Sequence, residues 1–429
     1  MTDAMPNYMP LYETIGAMRE QLADRPALAT LFAACFPNTL ETTVSTFPDG
    51  TTFVLTGDIP ATWLRDSSAQ VHPYLAFARE DLDFRQLIRG VIQRQARFIA
   101  IDPYANSFTR VPGTSAHIQD LPKTSPWVWE RKFEVDSLCY PVRLLHGYWK
   151  ATGDTMIFDE HIHRMLRTIV QTFRVEQHHD RDSPYTFERG DPLLPSDTLP
   201  FGGRGTRTNE TGMVWSGFRP SDDACTFGYL LPANMFAVVA LGHITAFARD
   251  HYQDVALAHE AAALCREIQF GIETYGIVRH PVYGRIYAYE TDGFGNYALM
   301  DDANIPNLLS LPYLGYCTTD DPIYQNTRRF VLSLDNPYFY QGTHAQGLGS
   351  PHTPRGYIWP IGLAMQGLTA YDRGEQEHLL AMLAATTAGT NYMHESFHPD
   401  NPVQFTRPWF AWANSLFSEF VLAWAHGSA

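Results

Sequence analysis

The sequence predicts an all-α fold, one domain over residues 1–429 with long loops at one end and only minor β-hairpins. Three observations predict it. Most segments with a regular apolar period repeat at helical spacing. Strand-like runs are few and short. The connections between helices are long and recur at intervals, yet no Ser/Gly linker or charge run divides the chain.

Taken in chain order, TTFVLTG (51–57) reads as a short strand. FEVDSLCYPVRLLHGYWKATGD (133–154) reads as a helix that stops at Gly153, the residue type that best accepts a left-handed C-terminus. PANMFAVVALGHITAFARD (232–250) is a second helix, with Pro232 near its start, where a missing N–H costs nothing. GIVRHPVYGRIYAYETDG (276–293) has the pattern of a hairpin. In GYIWPIGLAMQGLTAYD (356–372), Ile358, Ile361, Met365 and Leu368 fall on one helical face, and Phe417, Phe420, Val421 and Trp424 define a last helix. The connections 102–127, 180–223, 290–306 and 341–357 are rich in Gly, Pro, Asp and Arg. Loops of that length inside a compact domain usually carry function.

Composition narrows the class. A chain of 429 residues, 45% of them hydrophobic, has ample material for a core. A formal net charge of −15 disfavours nucleic acid and anionic membranes, which would repel it. The five cysteines are scattered singly, neither a disulfide framework nor a zinc cluster, which points to a reducing compartment. The opening residues MTDAMPNYMPLYETIG lack the apolar run of a secretory leader, and no stretch is expected to span a bilayer. These readings predict a cytoplasmic enzyme.

Six loop-to-helix junctions share one composition, carboxylates and Arg or His beside aromatics. They are TWLRDSSAQ (62–70), WVWERKFEVDS (127–137), FRPSDDACTFGY (218–229), MDDANIPN (300–307), SPHTPRGYIWP (350–360) and NYMHESFHPDNP (391–402). Any one of them alone reads as helix capping. Together they suit a sugar, whose C–H faces stack on aromatic rings and whose hydroxyls need paired donors and acceptors. No HExxH, CxxC, EF-hand, phosphate-loop or Gly-x-Ser-x-Gly pattern offers a rival chemistry. His161, His163, His178 and His179 read as solvated or capping residues, and FGGRGTR (201–207) as a flexible loop able to close over a pocket. Carboxylate chemistry remains. Glycoside hydrolysis needs one protonated acid and one ionised carboxylate, and FRPSDD and MHESF each offer acids that only a closed, barrel-like arrangement would bring together.

GDIPATWLRDSSAQ, SGFRPSDDACTFGY, DGFGNYALMDDANIPNLLSLPYLGY, SPHTPRGYIWPIGLAMQGLTA and MHESFHPDNPVQFTRPWFAWANSLFSEF together resemble glycoside hydrolase family 125, in order, from about residue 10 to the C-terminus. The resemblance implies an (α/α)6 barrel and a metal-independent, inverting exo-α-1,6-mannosidase that needs no cofactor. It maps the general acid onto Asp222, with Asp223 capping or orienting its neighbour, and the general base onto Glu395. It further implies that Arg65 and Asp66 bind hydroxyls of a terminal mannose, with Trp63 as a wall and Gln70 in support, while Asp58 caps a helix. Asn304 with Asp301 or Asp302, and His352 with Arg355, are further pocket candidates, whereas Trp359 and Trp409 fit the core equally well. The expected partner is a mannose-containing oligosaccharide, and the sequence does not specify an oligomeric state. The rival from another class is an inactive carbohydrate-binding scaffold, which would not require both acids. The rival within the class is another (α/α)-barrel glycosidase of different linkage.

Overall fold

The helices alternate between two concentric rings in the computed structural model, which describes residues 8–427. After α1 (Met9–Gln21), the outer ring holds α2 (Pro26–Thr42), α4 (Leu82–Ile101), α6 (Glu160–Glu176), α8 (Val255–Tyr275), α10 (Pro322–Val331) and α12 (Arg373–Ala385). The inner ring holds α3 (Leu64–Val71), α5 (Val135–Thr152), α7 (Leu231–Asp250), α9 (Leu311–Leu314), α11 (Pro360–Leu368) and α13 (Ala411–Ala425). Inner neighbours pack in sequence: α3 on α5, α5 on α7, α7 on α9, α11 on α13, and α13 back onto α3. Between α9, a single turn, and α11, the loop around Ala303 takes up the space. A Cβ on Gly362 of α11 would lie 3.2 Å from that of Ala303. The architecture is an (α/α)6 barrel.

Composition assigns each helix to its ring. Inner α11 (PIGLAMQGL) has no charged residue and α13 only Glu419, because each is enclosed on all sides. Outer α6 (EHIHRMLRTIVQTFRVE) carries one apolar stripe, with Ile162, Leu166, Ile169 and Phe173 buried and charges on the other face. Inner α7 is, by length and composition, apolar enough to cross a membrane, which corrects the expectation that no stretch would be. Its apolar surface is instead buried between α5 and α8.

Several expected elements are present, with shifted ends. Gly153 caps α5 at φ 66° and Pro232 lies in the first turn of α7. Residues 276–293 contain the antiparallel hairpin Ile277–His280/Gly284–Tyr287. Residues 51–57 contain the strand Thr52–Val54. The helix expected over 356–372 begins only at Pro360, since Ile358 bridges to Phe397 and Trp359 is the N-cap. Two further expectations fail. His179 is buried, its ring stacked 3.5 Å from that of Trp215 and bonded to Glu176 at 2.6 Å, so it is neither solvated nor a cap. The 201–207 loop is not free to close, because Gly203 is packed against the backbone of Phe187 and Gly205 against the Trp215 ring. Residues 1–7, on which the expected lack of a leader partly rests, lie outside the described residues.

The small sheets serve the barrel's loop end. Ala61–Trp63 pairs with Ser107–Thr109, which pairs with Val128–Glu130, and the outer two strands run into α3 and α5. The hairpin Ser396–His398/Asn401–Thr406 leads into α13. A bridge between Gly57 and Phe410 joins the entries to α3 and α13. The ring is also tied from α2 to α13, through Thr39–Ser415 at 2.9 Å, Asn38–Asn414 at 3.1 Å and Cys35–Asn414 at 3.2 Å.

Candidate active site

Each of the six polar junctions overlaps or precedes the N-terminus of one inner helix, in the order α3, α5, α7, α9, α11, α13, the last separated from its helix by the return strand of the final hairpin. All six therefore gather at one barrel end, where the positive ends of the helix dipoles favour carboxylates. A cavity of about 240 Å³ opens there. Trp63, Arg65 and Asp66 line it from α3, Asp222 from the loop before α7, and Asn304 from the loop before α9. His352 and Trp359 line it from the α11 junction, Glu395 from the last hairpin.

The loop carrying Asp222 is a built turn. Arg219 N–H donates to the Asp223 carbonyl at 2.8 Å and Asp222 N–H to the Arg219 carbonyl at 2.9 Å, which puts Asp222 at φ 68°. A left-handed backbone at a non-glycine residue is costly and persists only where its surroundings impose it. Here the Arg219 guanidinium bonds buried Glu290 at 2.5 Å, and Lys132 Nζ donates to the Asp222 carbonyl at 2.6 Å. The strained backbone turns the Asp222 side chain into the cavity, about a quarter exposed, while Asp223 points back into the protein. Asp223 accepts from Ser196 and Ser221, each at 2.8 Å, and lies 3.6 Å from His352. Burial would raise its pKa, but the His352 contact and the two hydroxyls outweigh that and lower it to about 2. On His352 burial works downward, and the Asp223 bond and charge overcome it, raising the imidazole to about 9. The two form an ion pair at neutral pH.

Beneath the cavity floor, one guanidinium faces four carboxylates. Arg65 Nη1 donates to Glu134 at 2.6 Å and to Asp136 at 3.1 Å, its Nε lies 3.5 Å from Asp66, and its Nη2 lies 3.9 Å from Asp222. Burial pushes Asp136 up to about 6 and raises Glu134 further, with Arg65 opposing both shifts. Asp66 is raised by burial too, against the pull of Arg65 and a bond from the Thr56 hydroxyl. Arg65 Nη1 is therefore engaged by carboxylates, while its side chain and that of Asp66 still line the cavity, where they were expected to meet sugar hydroxyls. On the opposite side Arg407 Nη1 lies 3.3 Å from Glu395, and its Nε and Nη2 hold Asp58 at 2.9 and 2.7 Å. Asp58 thus anchors Arg407 and does not cap a helix.

Four expected pocket residues lie outside the cavity lining. Gln70 is fully buried and donates to the Leu55 carbonyl at 2.9 Å. Asp301 is buried and accepts from the Leu308 and Leu309 N–H groups, fixing the turn before α9. Asp302 is buried behind Asn304 and orients that amide at 2.9 Å, with Ser350 on its other oxygen. Arg355 stands exposed on the loop, away from the cavity wall. Of the two tryptophans read as equally good core residues, Trp359 lines the cavity, its Nε1 bonded to Thr353 at 2.9 Å, and Trp409 does not. Sequence reasoning missed Glu134, Asp136, Asn106 and Arg407, and the aromatic wall of Phe410 and Trp412. Glu134 and Asp136 stand inside a junction already picked out by composition. Arg407, just past the return strand of the last hairpin, gave no such signal.

Comparison with known proteins follows this geometry. Residues 25–422 match the family described as metal-independent alpha-mannosidase (GH125). The chain belongs to this family. It is accordingly a glycoside hydrolase, built as an (α/α)6 barrel. It is 41% identical to the Meiotically up-regulated gene 157 protein of Schizosaccharomyces pombe, over 96% of this chain and 84% of that one. It superposes with a TM-score of 0.96, at 47% identity, on a Streptococcus pneumoniae metal-independent α-mannosidase solved as a non-productive complex with α-1,6-mannobiose, covering 99% of this chain and all of that one. A bacterial glucoamylase complexed with acarbose is 12% identical at a TM-score of 0.59, over 95% of this chain and 56% of that one, and shares the fold alone.

Proposed function

We propose that this α-mannosidase is an inverting exo-enzyme that releases the terminal, non-reducing mannose of α-1,6-linked manno-oligosaccharides, acting in the cytoplasm. The observation that carries the reading is that Asp222 and Glu395, 173 residues apart, line one small cavity. At about 240 Å³ the cavity is below the ~300–1,000 Å³ of pockets that enclose larger ligands, and suits one sugar ring. The linkage preference is supported by the mannobiose bound to the Streptococcus pneumoniae relative.

In this mechanism the Asp222 carboxyl gives its proton to the glycosidic oxygen as the C1–O bond breaks. Glu395 takes a proton from water, whose oxygen attacks C1 from the opposite face, and β-mannose leaves. Trp63, Trp359 and Phe410 supply apolar walls for the ring, and Asn304, held by Asp302, offers an oriented amide to its hydroxyls. Arg407 Nη1, 3.3 Å from Glu395, holds the side chain of the base in place at the cavity wall.

The test is to incubate the protein with α-1,6-mannobiose in EDTA and follow the anomeric protons by NMR from the first minutes. β-Mannose appearing first is the expected result. α-Mannose first would overturn inversion, and binding without cleavage would favour a carbohydrate-binding scaffold.

A further inference from the structure

Asp222 does not stand alone as an acid. One amide, Asn106 Nδ2, donates to an Asp222 oxygen at 3.0 Å and to an oxygen of Glu134 and one of Glu130, each at 3.3 Å. One guanidinium, Arg65, faces both. Glu134 is the N-cap of α5, its side chain wholly enclosed, and it also accepts from the Ser137 hydroxyl at 2.7 Å. Asn106 is itself fixed, since its carbonyl oxygen accepts from the Lys132 N–H at 3.2 Å.

We propose that Glu134 is a positioning residue for the general acid: held beside Asp222 by the same Asn106 amide and Arg65 guanidinium, it forms with Asp222 a carboxyl pair that keeps one proton, which Asp222 delivers to the leaving oxygen. This rests on the assignment of Asp222 as the acid.

Charge counting supports the pairing. The groups facing Asp222 are Arg65 and Asp66 from α3, Glu134 and Asp136 from α5, Lys132 on the strand that leads to α5, and His352 from the α11 junction. Lys132 is itself engaged by Glu130 and Asp197, each at 3.7 Å, and His352 by Asp223. That leaves Arg65 as the cation shared by Glu134, Asp136 and Asp222, and by Asp66, which Arg407 also faces. Four ionised carboxylates around one buried cation are unfavourable, and two acids this close do not both ionise readily. Burial, together with the neighbouring Asp222 and Asp136, raises Glu134 well above the usual carboxyl range. Such a pair titrates as one unit.

The experiment is the pH dependence of kcat/KM for wild-type enzyme and Glu134→Gln on α-1,6-mannobiose. Glutamine keeps the shape and the Arg65 side of the floor but removes the partner acid. The alkaline limb of the variant should move to lower pH by about one unit, a roughly tenfold loss above the limb with little loss at pH 5. A uniform fall with an unmoved limb would mean that Glu134 is only structural, and would overturn the proposal. If the variant does not fold, ¹³C-carboxyl NMR of labelled wild-type enzyme decides the matter. Joint titration of Glu134 and Asp222, with loss of one proton, is expected, and independent titration at ordinary carboxyl values would overturn it. A 2,4-dinitrophenyl α-mannoside separates this from the assignment beneath it, because its leaving group needs no acid. Persistence of the alkaline limb on that substrate in wild type would remove Asp222 as the acid. Its disappearance there, with no shift in Glu134→Gln on mannobiose, would sink the Glu134 inference alone.

Discussion

Replacing Arg65 with methionine keeps most of the side-chain volume and removes the one cation that, among the described residues, Glu134 and Asp136 touch directly, at 2.6 and 3.1 Å. Both carboxyl side chains are fully enclosed, so solvent cannot substitute. Removing one partner of a buried ion pair costs about 3–5 kcal/mol. With an unfolding entropy of about 2.1 cal/mol/K per residue, a 429-residue chain melting as one unit would lose roughly 3–6 °C in Tm. The loss must also depend on pH, and its sign follows from proton binding. Without Arg65 the folded-state pKa values of Glu134 and Asp136 rise further above their unfolded values. The folded state then binds more protons than the unfolded, and stability falls as pH rises from the unfolded carboxyl value, about 4, through the raised folded one. The deficit of Arg65→Met should therefore be small near pH 4–5 and approach its full size at pH 8, by differential scanning calorimetry or urea unfolding at both pH values. A deficit below about 1 kcal/mol, or one equal at pH 5 and pH 8, would refute the view that this guanidinium neutralises the cluster.

Three other outcomes are expected. Glu395→Gln should abolish turnover of α-1,6-mannobiose while mannose binding, measured calorimetrically, stays within a few-fold of wild type, because the base acts on water and not on the ring. His352→Gln should flatten the pH dependence of stability between pH 6.5 and 9. The raised imidazole stabilises the fold fully below about 6.5 and loses that contribution as pH climbs through about 9, an upper bound of about 3 kcal/mol that shrinks for a ring one-third exposed. Gly57→Ala should cost activity and about 1–3 kcal/mol of stability in urea unfolding, since Gly57 has φ 138° and its added Cβ would lie 2.3 Å from the Trp409 carbonyl.

What the sequence revealed follows from how each residue does its work. Asp222 and Glu395 stand in short polar runs at helix entries, and the same is true of Arg65, Asp66, Asn304 and His352, so composition alone picked out the loop end that carries them. The misread residues share a physical cause. Gln70, Asp301 and Asp302 have the chemistry of sugar ligands but are consumed by backbone N–H and C=O groups that a tightly wound loop leaves unpaired, and one-dimensional pattern does not report where those groups point. Arg407 shows the converse. It follows the hairpin strand Asn401–Thr406 at φ 37°, outside the polar runs, and it meets both Glu395 and Asp58, the latter 349 positions away.

The tie between α2 and α13 also governs how the enzyme comes into being. Glu395, Arg407, Phe410 and Trp412 are made after the rest of the cavity, and α13 then docks against α2 and Gly57, so the contacts that complete the ring include pairs 376 residues apart in sequence. A growing polypeptide can assemble the first inner helices but holds only the proton-donating half of the cavity until nearly all of it has emerged. Catalytic competence is therefore acquired in one late step, and any cleavage between α11 and α13 would leave much of the barrel's inner ring while removing the half of the reaction that activates water.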